Sequence, residues 1–209
     1  MARAPILILA LLALAAMPPA AAQQAPRVPL VGDDTTDPDA QAIFKDLRAR
    51  GTEPLNLHRI YANAPKISRR LSATAAALRN DAVVPRADRE LIILRATQLM
   101  HGEYPHEEHK PLAMSCGITA AQIDALAQWR ASALFSERQR AILAYADAMV
   151  TAAGVDDATF NAMKGFFSTQ EIVELTMNAA YYSASSQISR TLGVTAEGNP
   201  EKNGYGTCK

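Results

Sequence analysis

The sequence has few cysteines and no excess of charge of either sign. Its 209 residues include two cysteines, Cys116 and Cys208, and 21 basic residues balance 21 acidic ones. This balance, without a basic cluster, argues against nucleic acid or an anionic membrane as the main partner. Neither cysteine belongs to a Cys-x-x-Cys motif. In an oxidising compartment the two could form a disulfide, but the sequence does not establish that they are close.

The sequence also lacks an alternating apolar and polar pattern of useful length, and it contains no internal repeat. Apolar residues recur instead at the spacing of amphipathic helices. Three of the helical segments begin with the capping-box pattern, in which a hydroxyl residue precedes Glu or Gln by three positions: Thr119 with Gln122, Ser136 with Gln139, and Ser168 with Glu171. We therefore predict an all-α fold with a single domain.

The first 22 residues have the three parts of a secretory signal peptide. Arg3 supplies the positive charge, and Ile6 to Ala16 form an apolar run that is too short for a good membrane span. Small residues at 20–22 form a cleavage site. We predict cleavage after Ala22 and a periplasmic or secreted protein that does not contact the membrane. A buried N-terminal helix is the alternative.

Composition divides the rest of the chain into three parts. Residues 23–36 contain Pro26, Pro29, Gly32 and two adjacent Asp, and we expect a flexible leader. Residues 37–194 form the helical domain. Its first helix is predicted to start with Asp37 as the N-cap and Pro38 as the first helical residue. Residues 195–209 are rich in Gly, Asn, Lys and Glu, which is typical of a mobile tail.

The segment from Arg89 to His109 contains the residues that are most informative about chemistry. Glu90 directly precedes the apolar run Leu91 to Leu94, so its carboxylate is not expected to be fully hydrated. The segment ends with a cluster of ring-bearing polar residues: Tyr104, His106 and His109. A half-buried carboxylate near an imidazole can have its pKa shifted towards neutrality, as proton transfer requires. We therefore predict a raised pKa for Glu90.

Several motifs follow one another across residues 38–194: N-x-x-R-x-x-A-x-x-P at 56–65, Arg89–Arg95, H-x-x-x-A-x-x-x-G-I-T at 109–119, Ile142–Tyr145 and Phe167–Leu175. Their order and spacing resemble the carboxymuconolactone decarboxylase family, within the alkylhydroperoxidase-like (AhpD-like) superfamily. The resemblance implies an AhpD-like helical bundle. It also implies a homo-oligomer, with the apolar stretch Ile172 to Tyr182 as a buried contact.

In the peroxidase branch of this superfamily, a Cys-x-x-Cys pair precedes a histidine, and an upstream glutamate completes a proton relay. By position, the glutamate corresponds to Glu90 and the histidine to His109. The cysteines correspond to Gly102 and Pro105, neither of which can supply a thiolate. The resemblance thus implies a Glu90–His109 proton-transfer pair without dithiol peroxidase activity.

We assign Glu90, His109 and Tyr104 as catalytic residues, with Tyr104 donating to an oxyanion. His106 and Arg95 are assigned as substrate-binding residues. Each assignment has a structural alternative. Glu90 could be only a salt-bridge partner of Arg86 or Arg95, or an exposed helix residue. His109 could bond a backbone carbonyl, and Arg95 could bind a core-facing acid.

These assignments favour an enzyme that resembles a decarboxylase or lyase and acts on a small carboxylated lactone or on an enolisable acid. No cofactor is implied. His101, His106 and His109 do not have a recognised metal-ligand spacing, so no metal is predicted. Two alternatives remain: a non-catalytic ligand-binding or oligomeric scaffold with the same fold, and a thiol-independent oxidative-stress protein.

Overall fold

The computed structural model describes residues 25–151, 154–196 and Cys208. The predicted signal peptide and most of the predicted tail lie outside the described residues. Within the described ranges the regular structure is helical. The α-helices have these bounds: α1 Pro38–Ala49, α2 Asn56–Tyr61, α3 Pro65–Asn80, α4 Arg86–Leu99, α5 Glu103–Ser115, α6 Ala120–Ala125, α7 Glu137–Thr151, α8 Asp157–Lys164 and α9 Thr169–Leu192. A short 3-10 helix, Leu126–Ala131, directly follows α6. The all-α prediction is confirmed. None of these helices has the length and apolar character needed to cross a membrane.

The predicted N-cap and capping-box residues lie at the starts of α1, α6, α7 and α9. The Asp37 carboxylate caps α1 by accepting two backbone N–H groups of its first turn. Thr119 and Ser168 form capping boxes at the starts of α6 and α9. Ser136 and Gln139 exchange the same reciprocal hydrogen bonds before α7. Each box satisfies backbone donors that a helix start would otherwise leave without partners.

The central element is α4, and α5, α7 and α9 pack around it. Every residue from Asp88 to Thr97 is buried, including the charged ones. Because neighbouring helices cover α4 on all sides, its sequence has consecutive apolar residues instead of apolar residues on one face only. Leu91, Ile92 and Leu94 have no exposed surface, and each contributes roughly 1.5–3 kcal/mol through burial. The position of Glu90 on α4 therefore places its carboxylate inside the protein.

Small residues let α9 approach the turn between α4 and α5. Ser186 and Ser189 are buried, and their hydroxyls donate to the carbonyls of Tyr182 and Ser185 one turn earlier. A Cβ atom on Gly102 would lie 2.1 Å from Ser186 Oγ and 2.4 Å from Ser186 Cβ. Gly102 corresponds to a cysteine of the peroxidase branch. A side chain at this position is therefore excluded by packing against α9.

One face of α9 is buried within the domain by Ile172, Leu175, Ala179 and Tyr182. The expected contact between copies through residues 172–182 therefore depends on the other face. Val173 and Met177 are exposed there, one turn apart. Oligomerisation through this face stays a prediction.

Cys116 and Cys208 form a disulfide, a pairing that the sequence left open. Cys116 is the C-cap of α5, and the preceding Ser115 hydroxyl accepts the Cys208 N–H at 3.2 Å. The bridge joins positions 92 residues apart. The chain-entropy treatment assigns about 4–5 kcal/mol to a loop of about 100 residues. The disulfide thus connects the C-terminal region to the helix that carries His109.

Replacing Gly102 with Ala should destabilise the fold, because the new Cβ would overlap Ser186. We expect the free energy of unfolding in urea to fall by about 1–3 kcal/mol, the usual cost of overpacking. Gly165→Ala is the matched control, since its nearest neighbour would be the Ala162 carbonyl oxygen at 3.4 Å. Equal stability of the two variants would contradict the packing account.

Candidate functional site

A cavity of about 510 Å³ lies between α2, α3, α5 and α9 and the start of α4. This volume is in the range of small-molecule sites. From α5, Tyr104, Glu108 and His109 line it, and Tyr182 lines it from α9. The cavity is therefore formed by segments that are distant in sequence, with the predicted His109 in its wall.

His109 is hydrogen-bonded to Glu90, which lies behind it on α4. The distance from His109 Nδ1 to Glu90 Oε2 is 2.7 Å, and the two residues are 6% and 2% exposed. An ionised carboxylate only accepts hydrogen bonds, so Nδ1 carries the proton and donates it. The Tyr182 ring packs edge-on against the imidazole, with ring centroids 4.5 Å apart. This arrangement fixes the ring and leaves Nε2 for a ligand.

The pKa of Glu90 is shifted in the direction opposite to our prediction. Burial alone would raise the pKa of this carboxyl, but His109 and Arg86 together hold it below its ordinary value. Arg86 Nε donates to Glu90 Oε1 at 2.8 Å from one helical turn earlier. The prediction of a raised pKa was wrong because it left out the ion pair with Arg86, which was held only as an alternative interpretation of Glu90. Glu90 is thus an anion that orients His109, rather than an acid that holds a proton.

The cavity has more positive than negative groups. Its wall includes four arginines: Arg50, Arg79, Arg86 and Arg89. Two carboxylates oppose them, Glu108 in the wall and Glu90 behind His109. Arg89 is held by the backbone, since its Nη1 donates to the carbonyls of Leu78 at 2.6 Å and Arg79 at 2.8 Å. A cavity of this charge favours an anionic ligand.

Of the five predicted site residues, His109 and Tyr104 line the cavity, and Glu90 lies behind His109. Tyr104 is buried in the wall, in the first turn of α5. His106 and Arg95 are not part of the cavity lining.

His106 is bound on the side of α4 instead. Its Nδ1 lies 3.0 Å from Thr97 Oγ1. The Thr97 hydroxyl also lies 2.8 Å from the Ile93 carbonyl, to which it donates. Because the Thr97 hydroxyl proton is used in that bond, Thr97 Oγ1 accepts a hydrogen bond that His106 Nδ1 donates. Burial lowers the pKa of His106, which favours this neutral form.

Arg95 has the structural role that was its alternative interpretation. Its Nε donates to Asp147 Oδ1 at 2.5 Å, and its Nη1 donates to the Leu126 carbonyl at 3.0 Å. Asp147 also accepts from Trp129 and Arg130. Arg95 therefore connects α4 to α7 and to the segment after α6, and it does not serve as an anchor for a ligand in the cavity.

The three histidines near the α4–α5 turn do not converge. His109 faces Glu90, His106 faces Thr97, and His101 is exposed. Among the described residues, no three His, Cys, Asp or Glu side chains are grouped so that they could hold a metal ion.

Sequence reasoning missed two residues of α2 that line the cavity, His58 and Tyr61. Burial lowers the pKa of His58 to about 4 and raises the pKa of Tyr61 to about 12, so both are uncharged at neutral pH. Both lie within the motif at 56–65, which we used only for the family resemblance. Their spacing of three residues on a helix was the available signal.

Residues 65–148 match the model of the carboxymuconolactone decarboxylase family. The resemblance seen in the sequence is confirmed. The matched segment contains Glu90 and His109 and leaves out α2 and α9.

Three similar proteins place this match in context. The protein YnjA of Escherichia coli (strain K12) is 36% identical over 75 residues, which are 35% of this chain and 41% of YnjA. The chain thus matches less than half the length of this curated relative.

Two solved structures have the same fold. An AhpD-core, peroxidase-related protein from Ralstonia eutropha JMP134 is 22% identical, with a TM-score of 0.70 over 89% of this chain and 100% of that chain. The debrominase Bmp8 is 16% identical, with a TM-score of 0.65 over 81% of this chain and 92% of that chain. These likenesses establish the AhpD-like fold.

His58 should make stability depend on pH. The folded protein keeps His58 neutral down to about pH 4, whereas the unfolded chain protonates it below about 6.5. Protonation of the unfolded chain at His58 therefore does not affect stability above pH 6.5. As the pH falls from 6.5 to 4, it lowers the free energy of unfolding by up to about 3 kcal/mol. We expect urea unfolding of His58→Asn to show a smaller loss over this range than the unaltered protein. Equal losses in both proteins would contradict this account.

Proposed function

We propose that this protein is an exported enzyme that uses His109 and Glu90 to transfer protons on a small carboxylated lactone or on an enolisable acid. The main support is the 2.7 Å hydrogen bond between His109, in the cavity wall, and the buried Glu90 behind it. Glu90 holds the proton on Nδ1, so Nε2 is the basic nitrogen available to substrate.

In this mechanism, His109 Nε2 accepts a proton from the carbon next to a substrate carbonyl, or the imidazolium returns one to carbon after loss of CO₂. The imidazolium lies against the ionised Glu90 carboxylate, which stabilises it. The Tyr104 hydroxyl, also in the wall, donates to the enolate oxygen that develops. Proton transfer by a positioned group of this kind contributes about 10²–10⁴-fold to the rate.

The arginines of the wall hold the negative charge of the substrate. An arginine paired to a departing carboxylate stabilises the ground state and loses its partner as neutral CO₂ forms, which slows the reaction. The arginines are therefore better placed on the enolate oxygen or on a carboxylate that does not leave. Bidentate binding by Arg89, whose position the backbone fixes, suits either group.

Export is part of the proposal. It is supported by the pattern of residues 1–22, with cleavage after Ala22, and by the disulfide between Cys116 and Cys208. Disulfides persist in oxidising compartments such as the periplasm or the exterior of the cell.

The non-catalytic scaffold predicts an open polar cavity with Glu90 and His109 far apart. Their 2.7 Å contact in a partly enclosed wall favours the enzyme. Bmp8 is named a debrominase, so the fold can carry enzymatic chemistry in another protein. The oxidative-stress alternative has no comparable support from the residues in the cavity.

We expect Glu90→Gln and His109→Ala each to lower turnover by about 10²-fold or more while the fold is retained. The substrate would first be found by screening lactone and enol acids for CO₂ release and changes in ultraviolet absorbance. Because the two residues act as one unit, the double variant should be little worse than either single variant.

Tyr145→Phe is the control, since its hydroxyl bonds Thr176 at 2.7 Å away from the cavity lining, and its turnover should be nearly unchanged. Turnover that survived both single changes at Glu90 and His109 would contradict the proposed chemistry. Tight binding of one acid without turnover of any would favour the scaffold.

A further inference from the structure

The Tyr61 hydroxyl is buried in the cavity wall next to Ser185, and it has no hydrogen bond of normal geometry to any described residue. Tyr61 as a whole is 8% exposed. A buried hydroxyl without a partner costs about 1–3 kcal/mol, and native proteins rarely keep one without reason. Because this hydroxyl adjoins a cavity of ligand size, a bound molecule is a natural partner for it.

His58 presents a second donor one turn earlier on the same helix. Its Nδ1 accepts the Leu55 N–H at 3.1 Å, which is the one hydrogen bond of its side chain within the described part of the protein. A neutral imidazole with an accepting Nδ1 carries its proton on Nε2. The ring is 8% exposed and lines the same cavity.

Both donors are uncharged at neutral pH. The low pKa of His58 keeps its ring neutral, and the high pKa of Tyr61 keeps its hydroxyl protonated. Residues three apart on a helix lie on the same side of it. Two neutral donors on one side of α2 suit an uncharged acceptor oxygen, whereas the arginines of the cavity suit a carboxylate.

We propose that His58 and Tyr61 form a subsite for the carbonyl oxygen of an oxo acid whose carboxylate is held by the cavity arginines. This inference rests on the proposed function, since both use the same cavity, and it names the substrate class more closely. The subsite lies in α2, outside the family-matched segment 65–148, so it is a specificity determinant of this chain beyond the Glu90–His109 pair.

The test compares two probes of equal charge and chain length, 4-oxopentanoate and pentanoate, which differ by one carbonyl oxygen. Binding to the full chain would be measured by calorimetry or by ligand-observed NMR. We expect 4-oxopentanoate to bind about tenfold more tightly, the effect of two hydrogen bonds of ordinary net strength.

Tyr61→Phe removes only the hydroxyl. His58→Asn keeps an acceptor for the Leu55 N–H and removes the Nε2 donor. We expect each change to reduce the preference for the oxo acid several-fold and to leave the affinity for pentanoate unchanged. Tyr145→Phe is the matched control, because its hydroxyl bonds Thr176 at 2.7 Å away from the cavity lining, and it should keep the full preference.

Equal affinity of the unaltered protein for the two acids would overturn the subsite, and so would an absence of binding by both. A preference that persisted in both Tyr61→Phe and His58→Asn would also overturn it, and would indicate that water alone occupies these donors. The assay involves no turnover. A failure of the proton-transfer proposal, seen in the turnover of the Glu90 and His109 variants, would therefore be distinguished from a failure of the subsite.

Discussion

The carboxylate of Glu90 is a charge inside α4, where every residue from Asp88 to Thr97 is buried, and its surroundings must compensate for lost hydration. An ion moved from water into the interior costs several kcal/mol even after relaxation, unless partners meet it with good geometry. Arg86 supplies one partner from the same helix at 2.8 Å, and His109 supplies the other from α5 at 2.7 Å. Loss of one partner from such a buried pair typically costs about 3–5 kcal/mol. The packing of α5 against α4 is thus coupled to the charge of Glu90.

The rest of α5 is arranged so that His109 stays at this distance. At its N-terminal end, Gly102 packs against Ser186 of α9 with no room for a side chain. At its C-terminal end, Cys116 is bonded to Cys208. Between them, the Tyr182 ring packs against the imidazole. These contacts fix α5 along its length. The proposed base is therefore held in place before any ligand binds, as general-base catalysis requires.

Features that depend on a few neighbouring residues could be predicted from the sequence, and contacts between distant segments could not. Capping boxes were predictable because donor and acceptor are three residues apart. Glu90 was recognisable because a carboxylate precedes an apolar run. The shift of its pKa was not, since the sign depends on how closely Arg86 and His109 both approach. Arg95 was misassigned because its partner, Asp147, is 52 residues away and nothing near Arg95 indicates it. The part played by α2 depends similarly on the way α3 and α9 enclose the cavity.

Whether Glu90 orients a basic Nε2 can be read from the position of the proton on the neutral His109 ring. Nitrogen-15 NMR of histidine-labelled protein distinguishes a protonated ring nitrogen from a bare one, and His109→Gln would assign the signals. For the neutral ring we expect the proton on Nδ1, bonded to Glu90, and a bare Nε2. A protonated Nε2 with a bare Nδ1 would contradict it, because Glu90 would then not be the anion that orients the base.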